Sequence, residues 1–150
     1  MLKFLPPALR GAIALVLLVF NTLFWCALLL VLALVKLVLP FATVRRMIDP
    51  LLNRIASCWV GCNSAWMRLT QRTTWDVAGA KDLAYQNWYL VNCNHQSWVD
   101  ILVLQRVLNQ RIPLLKFFLK RELIYLPVLG LAWWALDFPF LRRQTKADLR

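Results

Sequence analysis

One heptapeptide concentrates the reactive side chains. Asn94-His95-Gln96-Ser97-Trp98-Val99-Asp100 holds the single histidine of the chain and, five positions on, a carboxylate. An unperturbed imidazole titrates at about pH 6.5, so it takes up and returns a proton near neutrality. Such a base works better when a carboxylate fixes the ring and stabilises the imidazolium, and Asp100 is the candidate partner. On one continuous helix, residues five apart are rotated by roughly 140° and cannot share a face. If the helix begins at Ser97, His95 lies in the preceding turn and can fold back over the first helical turn, where Asp100 occupies position N3. Both residues also have purely structural readings. Ser-x-x-Asp starts a helix as a capping box does, and a carboxylate there suits the helix dipole. A turn histidine can simply bond backbone.

Downstream lie Lys116, Lys120, Arg121, Arg142 and Arg143. Arginine binds phosphate in bidentate fashion, and lysine supplies a point charge; a solvated basic face is the alternative. Arg142 and Arg143 follow Phe138-Pro139-Phe140-Leu141 directly, at the end of an expected strand.

These residues need elements to place them. Residues 75–77 read as a short strand closed by Gly79, and residues 88–93, rich in aromatic and β-branched types, as a buried strand. Residues 97–108 read as a helix with Ser97 as N-cap and an apolar face of Ile101, Leu102, Leu104 and Leu108. Residues 115–119 read as a further strand, a short helix follows Lys120, and residues 138–141 as a last strand. Pro127 and Gly130 interrupt the apolar stretch 123–136, which is too short to cross a bilayer comfortably. Strands alternating with helices predict an α/β layer fold, with the heptapeptide where a strand passes into a helix, a usual place for a site.

The first third of the chain is different. Residues 13–35 carry no charge, and the apolar run continues past Lys36 to Leu39. A hydrocarbon core of about 30 Å needs only about 20 apolar residues, so residues 8–39 can cross with tilt, or break near Asn21-Thr22 and return. A secretory leader has an apolar region of about 7–15 residues, so an uncleaved anchor is expected. The surplus of Lys36, Arg45, Arg46 and Arg54 over Lys3 and Arg10 places the later residues in the cytoplasm. Pro40 and Pro50 bracket a linker. Residues 51–69 then form a helix whose stripe is Leu52, Ile55, Ala56, Trp59, Cys62 and Trp66.

Composition agrees with a membrane setting. Hydrophobic residues make up 61% of the 150 and charged ones 17%, against roughly 45–50% and about 25% in soluble domains. Eighteen Lys and Arg against seven Asp and Glu leave a net charge of +11, which fits anionic lipid or a phosphorylated substrate at a membrane better than nucleic acid. Cys26, Cys58, Cys62 and Cys93 are read as reduced, mostly packed thiols, and one histidine leaves little for a zinc site.

The heptapeptide resembles the first motif, Asn-His-x-x-x-x-Asp, of the 1-acylglycerol-3-phosphate acyltransferase family of lysophospholipid acyltransferases, matched by Asn94, His95 and Asp100, with Ser97 also usual. Lys120-Arg121-Glu122-Leu123 followed by Pro127 and Gly130 is similar to that family's Lys-x-Glu-Leu segment. Residues 137–143 are similar to its Gly-x-x-Phe-Ile-x-Arg motif, Phe140 and Arg143 matching and Asp137 standing in place of the glycine. A bacterial inner-membrane branch is the most similar.

This resemblance implies an acyl group moved from an acyl thioester, on coenzyme A or an acyl-carrier protein, to the free hydroxyl of a lysophospholipid such as lysophosphatidic acid. It implies His95 and Asp100 as catalytic residues, and Arg143, Arg142, Lys120, Asn94 and Ser97 as substrate contacts, with no metal or cofactor. The expected architecture is a membrane-anchoring helix or helical hairpin over residues 1–45, then an incomplete glycerolipid-acyltransferase-like α/β domain over residues 46–150. The family's Glu-Gly-x-Arg and later proline motifs have no counterpart, so the chain is read as the N-terminal part of a longer enzyme. Two rivals differ in class: a thiol enzyme with Cys93 as nucleophile and His95 as base, and an inactive truncated or non-enzymatic membrane-anchored module.

Overall fold

The computed structural model describes residues 5–71, 73–94 and 96–142. His95 and Arg143 lie outside the described residues. Helix α1, Pro7–Val38, opens on a proline, whose missing N–H costs nothing at a first turn. It is long and apolar enough to cross a membrane. It runs unbroken through Asn21 and Thr22, so of the two expected alternatives it is the single continuous helix that forms. The Asn21 side chain is satisfied without a break: its Nδ2 donates to Asn63 Oδ1 at 2.8 Å.

Helix α2, Ala42–Thr70, follows after residues 39–41. It begins well before Pro50, which lies inside it, so the linker expected between Pro40 and Pro50 is mostly helix. An interior proline removes one backbone hydrogen bond, but Ile48 and Leu52 on either side are both buried, so packing holds the helix through that gap. The buried stripe is Ile48, Leu52, Ala56, Val60, Asn63, Met67 and Thr70. Leu52 and Ala56 were foreseen, whereas Cys62 is exposed and Trp66 half-buried. The stripe turns because Asn63 must face Asn21, and because Trp66 Nε1 donates to the Ala14 carbonyl at 2.8 Å.

Contacts divide the chain into two compact units, Met1–Trp25 with Arg54–Leu115, and Cys26–Asn53 with Lys116–Arg150. In the first, helix α3, Trp98–Leu108, fulfils the expected element, with Ser97 as its N-cap. Its apolar face is only half-buried. Polar contacts fasten it to α2: Arg106 Nη1 donates to the Ser64 carbonyl at 2.9 Å, and Asn109 Nδ2 to the Ser57 carbonyl at 3.1 Å. The Arg106 guanidinium also stacks 4.2 Å over the Trp75 ring, a cation–π contact.

The second unit contains the one sheet among the described residues. Strand β1, Leu119–Lys120, and strand β2, Phe140–Leu141, pair in parallel with Leu119 opposite Phe140 and Lys120 opposite Leu141. Their connection is a 3-10 turn, Arg121–Tyr125, and helix α4, Leu129–Ala135. Val128 launches α4 with φ of 66° and ψ of −56°, its neighbours joined by a Leu129 N–H to Pro127 carbonyl bond of 2.7 Å. That is a strained γ-turn, rare for a β-branched residue.

The described residues are therefore mostly helical with a two-stranded parallel sheet, and they do not confirm the expected α/β layer. Residues 75–77 and 88–93 are not strands, and of residues 115–119 only Leu119 is. Trp88 is 96% exposed and Leu90 79%, so the segment read as a buried strand lies open. Aromatic and β-branched residues supply strand propensity, but a strand also needs a hydrogen-bonded neighbour, and no described segment pairs with this one.

Candidate active site

The start of α3 carries the first group of candidates. Ser97 takes an extended backbone, φ −151° and ψ 164°, and its Oγ accepts the Val99 amide at 3.2 Å. Asp100 closes the capping box from position N3. Its Oδ2 accepts two backbone amides, those of Gln96 and Ser97, each at 2.7 Å. Short bonds of this kind, from N–H to a carboxylate at a helix N-terminus, are among the stronger hydrogen bonds in proteins. They hold the two residues after position 95 against the helix. An ionised carboxylate accepts up to about four hydrogen bonds, so the two amides do not exhaust it.

Asp100 thus has a structural task in full, and that task fixes the backbone on the C-terminal side of His95. The expected capping geometry is present; the expected contact with His95 falls outside the described residues. Asn94 and Ser97 are exposed, as a substrate contact requires. Cys93 is exposed as well, as are Cys58 and Cys62, so of the four thiols only Cys26 is packed. The rival thiol reading, with Cys93 as nucleophile and His95 as base, gains no support from a strand there, because residues 88–93 form none.

The second group stands at the sheet in the other unit. Lys120 ends β1, and Arg142 follows the residue that pairs with it, Leu141. Parallel strands end at the same edge, so the register puts Lys120 and Arg142 at one C-terminal edge, a usual location for sites in α/β structures. Both are exposed. Arg143, the other arginine singled out, lies outside the described residues. Among the described residues, no three His, Cys, Asp or Glu side chains gather where a metal would sit.

Sequence reading assigned no role to a third cluster in this second unit. Lys36 Nζ lies 2.8 Å from Asp49 Oδ1 and donates to Asp137 Oδ2 at 2.9 Å. Asp137 has φ of 55°, the left-handed conformation that glycine adopts freely and aspartate tolerates. A charge ending an apolar helix was the available signal; one of its two partners, Asp137, lies 101 residues away.

A family model described as acyltransferase matches residues 75–150, a span holding every candidate from Asn94 to Arg143. No curated protein and no solved structure matches the chain.

Proposed function

The chain belongs to the acyltransferase family, and from that premise we propose that it transfers a fatty acyl group from an acyl thioester to the free hydroxyl of a lysophospholipid such as lysophosphatidic acid. The observation that carries this reading is the clamp at the start of α3, where Asp100 pins the amides of Gln96 and Ser97 and so restrains the chain beside His95. In the proposed reaction, His95 removes the proton of the acceptor hydroxyl as its oxygen attacks the thioester carbonyl. Collapse of the tetrahedral intermediate breaks the carbon–sulfur bond, and the thiolate leaves and takes up a proton. Asp100 orients the imidazole and stabilises its charged form.

Arg143, with Arg142 and Lys120, holds the acceptor phosphate, while Asn94 and Ser97 line the acceptor's path. Holding both reactants converts an encounter between dilute molecules into a near-attack pair, an effect worth several kcal/mol or more. Helix α1, long and apolar enough to cross a membrane, anchors the chain at the cytoplasmic side of a bacterial inner membrane, where the lipid acceptor resides and the thioester donor, coenzyme A or an acyl-carrier protein, is made.

The test is thiol release from an acyl thioester driven by lysophosphatidic acid, with the chain in lipid vesicles. His95→Ala is expected to lower turnover by roughly 100-fold or more, the range for loss of a general base, while vesicle association is unchanged. Equal turnover in the variant removes His95 from the mechanism. Absence of turnover by the unaltered chain with either donor favours a membrane-anchored module without enzymatic activity.

A further inference from the structure

We infer that Lys36 is a positioning residue, which ties the C-terminal end of α1 to the turn that launches β2 and so fixes the strand end that carries Arg142. Three elements of one unit meet at its ammonium group. Lys36 lies in the last turn of α1, Asp49 in α2, and Asp137 in the turn between α4 and β2. The Lys36 side chain is only 11% exposed, so its charge is largely removed from water and the two carboxylates stand in for lost hydration.

A lysine at the end of an apolar helix ordinarily reaches for lipid headgroups. Here two carboxylates lie 2.8 and 2.9 Å from the ammonium and engage it. The ammonium is directed inward instead. What it holds is a short, unusual piece of backbone. Asp137 adopts its left-handed conformation with its N–H on the Trp134 carbonyl at 3.0 Å, and Phe138 donates to the Trp133 carbonyl at 3.0 Å. Two residues later the chain enters β2, with the Pro139 carbonyl accepting the Leu119 amide at 2.9 Å. A shift of the turn at Asp137 would therefore move the edge on which Lys120 and Arg142 stand.

The consequence for acceptor binding rests on the proposed function; the mechanical tie does not. Amide exchange of the full chain in lipid nanodiscs reads the tie directly at residues 137–141. Lys36→Met keeps the apolar stem and removes the charge, and is expected to speed exchange there by roughly fivefold or more, with α3 unchanged. Asp137→Asn, which retains a residue tolerant of positive φ, is expected to do the same. The double variant is expected to be no worse than Lys36→Met alone, as for two groups acting through one contact. Unchanged exchange in Lys36→Met, additive effects in the double variant, or equal loosening of α3 would each overturn the proposal.

In the transfer assay, Lys36→Met is expected to raise the KM for lysophosphatidic acid with kcat little altered; a KM equal to that of the unaltered chain, with exchange accelerated, overturns the link to the acceptor site. If the unaltered chain transfers no acyl group, the proposed reaction falls, and the exchange comparison still decides whether Lys36 holds the turn.

Discussion

Asp100 Oδ2 accepts the Ser97 amide at 2.7 Å while the Ser97 side chain caps the same helix. The two residues hold each other, and one carboxylate serves helix initiation and, in the proposed mechanism, the catalytic base. Substitution separates these tasks. In Asp100→Asn, the amide oxygen can still accept the backbone N–H groups, so helical content and thermal stability are expected to change by less than about 0.5 kcal/mol. The charge that steadies the imidazolium is gone, and turnover is expected to fall by roughly 100-fold. Asp100→Ala removes both functions and is expected to cost about 1 kcal/mol of stability in addition. Circular dichroism and the transfer assay measure the two effects separately. Full activity in Asp100→Asn would leave Asp100 as a helix starter and nothing more.

The start of α3 was legible because its signal is local: Ser97 and Asp100 are three residues apart, and each acts on backbone within that window. The rest of the site depends on distant partners. Residues 88–93 have the composition of a strand, yet Trp88 and Leu90 stand exposed, because composition cannot name the neighbour a strand requires. The stripe of α2 was read correctly at Leu52 and Ala56 and then diverged, since the pairing of Asn63 with Asn21 outweighs the apolar pattern at Cys62. Asp137 could be seen to replace a glycine. That it keeps the glycine-like φ and spends its carboxylate on Lys36 could not be seen, because the two are 101 residues apart.

Membrane orientation has a direct readout in the exposed thiol of Cys93. A variant retaining Cys93 alone, with Cys26, Cys58 and Cys62 replaced by serine or alanine, is to be treated with a membrane-impermeant maleimide on intact bacterial spheroplasts. The expected result is no labelling until the membrane is permeabilised, which places this residue in the cytoplasm. Labelling of intact cells would reverse the proposed orientation. Cys93→Ser in the otherwise unaltered chain is expected to retain transfer activity; its loss, with the fold intact, would restore the thiol as a nucleophile.

Gly130 makes the closest approach in the segment between β1 and β2, and the reason is steric. Its N–H donates to the Leu126 carbonyl at 2.9 Å, and α4, in whose first turn it lies, packs directly on the preceding 3-10 turn. A Cβ at this position would press on the Ile124 carbonyl oxygen, and would lie 2.6 Å from that carbonyl carbon and 2.9 Å from the Leu123 oxygen. All three are backbone atoms, so no side chain can swing aside. Relief must come from moving α4 away from the 3-10 turn, and α4 leads into the turn at Asp137 and then β2. Gly130→Ala is therefore expected to lower stability by about 1–3 kcal/mol, the usual cost of overpacking, although alanine is the better helix former. In the proposed reaction it should also weaken lysophosphatidic acid binding, since the edge bearing Lys120 and Arg142 shifts with β2. Thermal denaturation in detergent measures the first effect and the acceptor KM the second. A Gly130→Ala variant as stable as the unaltered chain would show that α4 does not sit as tightly on the 3-10 turn as described.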